Sequence, residues 1–135
     1  MKKLELYTGK NYKLLEFKFN DVEITTADWC IFAKAAKQTV YFKDQTFIMY
    51  DDEIPTERVD SDYFMLGEMW IEQFYKDHDI VLMVCNEQQE PLRIFHGETI
   101  RAIKSTDKYT RFAVDGKELF ISRCSWMILT RTKEA

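Results

Sequence analysis

Apolar and polar residues alternate from the start of the chain. Lys3-Leu4-Glu5-Leu6-Tyr7 places every second side chain on one face, Gly9 marks a turn, and Leu15, Phe17 and Phe19 resume the alternation around Glu16 and Lys18. A period of two over both runs predicts a β-hairpin with one buried face. The period then lengthens. Trp29, Phe32, Ala33 and Ala36 fall at i, i+3, i+4 and i+7, Thr25 with Asp28 three residues on offers a cap, and Lys34 and Lys37 sit toward the negative end of a helix dipole. This spacing predicts a short amphipathic helix. From Thr39 to Tyr50 the β-branched and aromatic residues flank Lys43-Asp44-Gln45, predicting two strands around a tight turn.

Asp51 to Asp60 contains Pro55, lacks a period and is densely acidic, the pattern of a loop. Ser61 and Asp62 then suit the start of a second helix. Its apolar residues form two stripes, Tyr63, Leu66, Trp70 and Phe74 on one side and Phe64, Ile71 and Tyr75 on another, so that neighbours must cover it on more than one side. After Asp79 short alternating runs recur: Ile80–Cys85, Leu92–His96, Thr99–Lys104, Tyr109–Val114, Glu118–Ser122 and Trp126–Thr130, with Asp115-Gly116 the firmest turn signal. The expected architecture is α+β, with two short helices packed on antiparallel sheet. Residues 1–78 supply hairpins and helices, and 79–131 an antiparallel meander able to curl into a small barrel. At 135 residues the whole of 1–135 is expected to form one domain.

Composition narrows the function classes. Aromatic residues make up 15% of the chain, enough for a packed core, while 4 Gly and 2 Pro leave no material for a phosphate-cradling loop. No apolar run reaches the ~20 residues of a membrane span, and Met1-Lys2-Lys3 leads into alternation instead of a continuous apolar stretch, so the expected compartment is the cytoplasm, without membrane contact. Cys30, Cys85 and Cys124 are odd in number and widely spaced, as expected of reduced thiols. No paired Cys or His ligand spacing occurs, so no metal and no cofactor is expected. A Cys124–His96 nucleophile pair would have to be assembled by the fold, and burial would keep its thiol inert. With no Gly-x-Ser-x-Gly elbow either, the expectation is a protein that is not an enzyme.

Charge changes the picture most. The formal net charge is −4, yet it divides into +2 over residues 1–50, −10 over 51–90 and +4 over 91–135. The acid-rich stretch suggests a docking surface for a basic protein partner, formed by Asp51, Asp52, Glu53, Glu57, Asp60 and Asp62 with Met69 and Trp70 of the second helix. The basic stretch offers an alternative: Arg101, Lys104, Tyr109, Arg111 and Arg123 combine cations with an aromatic ring, a set that suits nucleic acid or a small anionic, nucleotide-like ligand.

The run Asp115-Gly116-Lys117-Glu118-Leu119-Phe120-Ile121-Ser122-Arg123 resembles the closing motif of LytTR-type bacterial DNA-binding domains, and Phe74-Tyr75-Lys76-Asp77-His78 resembles a second segment of that family. Asp79-Ile80 stands where that family has Arg-Ser, Phe120 replaces a Pro, and a strand pair precedes Thr99. The resemblance implies DNA contact, and the departures remove residues that would make it. The leading expectation is therefore a non-enzymatic binding protein of bacterial or phage type that docks to a protein, as small inhibitor and immunity-like proteins do. Anionic-ligand binding comes second, and an enzyme whose site only the fold assembles comes third.

Overall fold

The computed structural model describes residues 1–8, 13–59, 75 and 79–131. The chain folds into strands: β1 (Lys2–Tyr7), β2 (Lys13–Phe19), β3 (Val22–Thr26), β4 (Ile31–Ala35), β5 (Thr39–Phe42), β6 (Thr46–Asp51), β7 (Thr56–Arg58), β8 (Ile80–Asn86), β9 (Pro91–Gly97), β10 (Ile100–Ser105), β11 (Thr110–Val114), β12 (Lys117–Ser122) and β13 (Cys124–Thr130). They form three antiparallel sheets, ordered β10-β11-β12-β6-β1-β2, β13-β8-β9-β7 and β3-β4-β5. The expected α+β class is thereby corrected to nearly all β, and among the described residues none of the sheets closes into a barrel.

The first expected helix is strand β4. Ile31 and Ala33 are buried and Ala35 is half-buried, all turned toward one core, while Lys34 faces out and Trp29 stands 64% exposed. That is a period of two, and pairing of Ala33 with Ile24 on one side and Val40 on the other satisfies its backbone as a helix would have done alone. The second expected helix, from Ser61 to Tyr75, lies outside the described residues except for Tyr75, which is buried beside Val59, Val81, Met83 and Ile94. The acidic loop is also shorter than expected, because Thr56–Arg58 pairs with β9 as β7.

The six-stranded sheet is the middle layer. Leu4 and Leu6 of β1, Phe47 and Met49 of β6 and Phe120 of β12 point to one side, where Val22, Ile31 and Ala33 of the three-stranded sheet meet them. Tyr7, Ile48, Tyr50, Phe112, Leu119 and Ile121 point to the other, against Leu82, Val84, Leu92 and Phe95 of the four-stranded sheet. The N-terminal hairpin therefore does not have one buried face. Strand β1 is covered on both, which accounts for Glu5 being 0% exposed.

Burial of that carboxylate is tolerated because it is paired. Arg93 of β9 donates from Nε to Glu5 Oε1 at 2.8 Å and from Nη2 to Oε2 at 3.0 Å, and Tyr7 Oη donates to Oε1 at 2.7 Å. Arg93 also donates to Thr56 Oγ1 and lies over the Tyr50 ring at 5.1 Å, so its planar group is held on several sides. Burial raises the Tyr50 hydroxyl to about 12, and burial with the Glu5 charge raises that of Tyr7 further, so both hydroxyls remain neutral and that of Tyr7 stays a donor to Glu5.

Candidate functional site

Three strands at one end of the middle sheet carry the basic set. The register pairs Arg101 with Ala113 and Ala102 with Phe112, and then slips by one residue, so that Lys104 and not Ile103 stands opposite Arg111. The slip is a β-bulge, an extra residue that re-aims the side chains beyond it. Without it Lys104 would oppose Thr110 and point to the other face. With it Arg101, Lys104 and Arg111 share one face, on which Glu118 lies opposite Ala113 and Phe120 opposite Arg111. Arg101 and Lys104 are exposed.

The same face gathers residues that sequence reasoning misses. Glu118 accepts from Arg111 Nη2 at 2.8 Å and from Lys2 Nζ at 3.0 Å, so one carboxylate serves two cations. Nothing in the sequence marks Lys2 as a neighbour of Glu118; only the β1-β6-β12 order brings them together. Tyr109 and Arg111 both reach Phe120, the ring at 5.5 Å between centroids and the guanidinium at 5.9 Å, which places them on one side as the two-residue spacing implies. Lys2 and Arg111 thus share a single acid, while Arg101 and Lys104 stand exposed on the neighbouring strand. Like charges directly opposite on neighbouring strands destabilise a sheet, and here Lys104 opposes Arg111.

Arg123 is not part of this face. It sits between β12 and β13 with φ 53°, pairs with Asp44 at 3.1 Å and with Glu87 at 3.1 Å, and so staples two turns together. Most of the described acidic residues are likewise engaged. Asp51 accepts from the Glu53 amide at 2.9 Å, Asp52 faces the Met1 amino group at 3.3 Å, and Glu57 lies 3.3 Å from His96 Nε2. Of this set Glu53 alone is exposed with no partner for its carboxylate among the described residues. Asp60, Asp62, Met69 and Trp70 lie outside the described residues.

The thiols and histidine do not form a pair. Cys124 Sγ is directed at the Ser122 and Phe47 carbonyls, and burial pushes its thiol up to about 12. His96 aligns with Val81 on β8, and Cys124 with Asn86 on the same strand, five residues or roughly 16 Å along the sheet. Burial raises the Cys85 thiol as well. Among the described residues no group of three or more His, Cys, Asp or Glu is placed to hold a metal ion, and no helix is long and apolar enough to cross a membrane.

A family model described as a domain of unknown function (DUF5052) matches residues 7–133. No curated protein and no solved structure matches the chain.

Proposed function

The chain belongs to the DUF5052 family, and from the geometry of its basic face we propose that it is a non-enzymatic binding protein that holds an extended anionic ligand of the phosphodiester kind. The observation that carries this reading is the bulge at Ile103, which sets Lys104 opposite Arg111 and beside Arg101. Glu118 offsets Arg111, but among the described residues no acid pairs with the neighbouring Arg101 or Lys104, so their repulsion is a cost that the sheet itself does not offset. An anion laid across β10 and β11 removes that cost. Tyr109, half-buried against Phe120, borders this face and is the aromatic ring nearest to where a base or sugar would lie.

The net charge of −4 limits how far this attraction reaches. At physiological salt a charge is screened beyond ~8 Å, so the face acts locally and the acidic remainder of the molecule does not cancel it. Binding is accordingly expected to be salt-sensitive, with a slope of about 0.7 per contacted phosphate for a single strand.

Fluorescence anisotropy with a labelled single-stranded oligonucleotide, and separately with heparin, tests the reading at about 50 mM salt. The wild-type chain should bind the oligonucleotide, and Arg101→Glu with Lys104→Glu should abolish binding while leaving the circular dichroism spectrum unchanged. Undiminished binding by that double variant, or binding of heparin alone or of neither polyanion by the wild type, overturns it.

A further inference from the structure

The three-stranded sheet carries a second surface, on the side turned away from the core. Its inward residues are Val22, Ile31 and Ala33, so Phe32 of β4 faces outward, registered between Thr25 of β3 and Tyr41 of β5. Trp29, in the β3–β4 turn, joins them. Trp29 is 64% and Tyr41 60% exposed, their rings are parallel within 5° with centroids 6.4 Å apart, and Phe32 lies 5.3 Å from Tyr41. Trp29 and Tyr41, open to water and in contact with the half-buried Phe32, forgo the hydrophobic stabilisation that burial would give them. Around them the sheet face is polar: Thr25, Thr39, Glu23 and Lys34 share it, and no aliphatic side chain of the three strands does.

Beside Trp29 a groove of about 380 Å³ runs between the β3–β4, β5–β6 and β10–β11 turns. Two of its cations are occupied, Lys108 donating to the Ala27 carbonyl and Arg123 held by Asp44. Asp28, Lys43 and Asp107 line it as exposed residues whose charged ends meet no protein partner among the described residues. Two acceptors and one donor thus stand next to an aromatic face.

We propose that this surface binds a neutral carbohydrate. A sugar ring has a face of C–H groups whose slight positive charge complements the negative face of an aromatic ring, and Trp29 and Tyr41 offer two such faces in one orientation. Its hydroxyls both donate and accept, so they can give hydrogen bonds to Asp28 and Asp107 and take one from Lys43. The groove volume falls in the range of small-molecule sites. A polyanion is disfavoured because the unpaired charges of the groove are two carboxylates, Asp28 and Asp107, against the one ammonium of Lys43. Aromatic rings within a polar frame also suit a protein interface, so a protein is the competing occupant that the binding test must separate.

Gel electrophoresis of the full chain through soluble neutral polysaccharides tests this, using hydroxyethyl cellulose, a soluble β-1,3-glucan and a galactomannan in separate gels. At least one should retard the wild-type protein. Trp29→Ala and Tyr41→Ala should each weaken retardation about tenfold, Trp29→Phe should preserve part of it, and the Arg101→Glu, Lys104→Glu double variant should behave as wild type. Trp29 and Tyr41 are exposed, so both alanine variants are expected to remain folded, which circular dichroism checks. The proposal is overturned if none of the three polysaccharides retards the chain, or if retardation survives Trp29→Ala and Tyr41→Ala. It is equally overturned if Trp29→Ala weakens binding of an oligonucleotide or a protein and of no neutral polysaccharide.

Discussion

Glu5 and Arg93 meet between two sheets as a bidentate ion pair, 2.8 and 3.0 Å, with the carboxylate removed from water altogether. Burial by itself would raise the Glu5 carboxyl, but the Arg93 hydrogen bonds and charge, with Tyr7 and Lys13 behind them, hold it below the ordinary range. The pair fixes how β1 and β9 align, and its members are 88 residues apart in the chain.

Removing one partner should be worse than removing both. Glu5→Gln or Arg93→Met alone strands a buried polar or charged group and is expected to cost about 3–5 kcal/mol, whereas Glu5→Leu with Arg93→Met should cost clearly less than the sum. Urea midpoints of the three variants check this. A depressed carboxylate contributes stability that is fully present above its unfolded value, near 4.5, and lost as pH falls through the folded value. The double variant should therefore show a flatter stability profile between neutral pH and acid than the wild type.

Lys104 is expected to trade stability for binding. Lys104→Thr removes the charge opposite Arg111 and introduces a β-branched residue on a strand, so it should stabilise the fold by about 0.2–1 kcal/mol while weakening polyanion binding. Thermal denaturation and anisotropy on the same variant read the two effects. A variant that loses both stability and affinity would show that Lys104 is structural.

Two glycines should fail for different reasons. Gly116 has φ 80° in the Asp115-Gly116 turn, and a methyl group there would meet nothing within 4 Å, so Gly116→Ala should cost about 1 kcal/mol through the backbone alone. A Cβ on Gly97 would lie 2.9 Å from Val114 Cγ1, so Gly97→Ala should be destabilising by crowding. Adding Val114→Ala should therefore relieve Gly97→Ala and leave Gly116→Ala unchanged, as measured by chemical denaturation.

Cysteine labelling should follow unfolding. The Cys85 and Cys124 thiols are raised by burial, the latter to about 12, so iodoacetamide at about pH 8 should modify them no faster than the native chain opens. Mass spectrometry of labelling with and without urea measures the difference. Rapid labelling of Cys124 in the native protein would remove the case for an inert thiol.

The six strands after Asp79 are legible in the sequence because each is a short alternating or apolar run bounded by turn residues, and each occurs within a residue or two of its expected limits. The sheet each one joins is not legible. Strand β12 pairs with β6 and β13 with β8, partners that only tertiary packing selects. Segment 29–36 misleads because Ala and Lys favour helices and four apolar residues happen to fit a helical stripe, while the competing alternation Ile31-Ala33-Ala35 is carried by two small side chains. Glu5 reads as solvent-facing because an alternating strand normally has one wet face, and a middle layer has none. On the basic face, Arg101, Lys104 and Arg111 are legible as charges, but the bulge that aligns them leaves no mark in the sequence, and Arg123 belongs with them only by proximity along the chain.

The middle sheet also dictates an order of assembly. Strand β6 has β1 on one side early, but its other neighbour β12 is made much later, with Tyr50 pairing to Leu119. During synthesis the growing chain must carry β6 with an open apolar edge while roughly seventy further residues emerge, the situation in which strands recruit wrong partners. Closure of so distant a pairing is slow, and truncation anywhere before β12 leaves that edge permanently uncovered. Ribosome-bound chains in which β6 but not β12 has emerged from the exit tunnel should accordingly bind a holdase chaperone, and the released full chain should not.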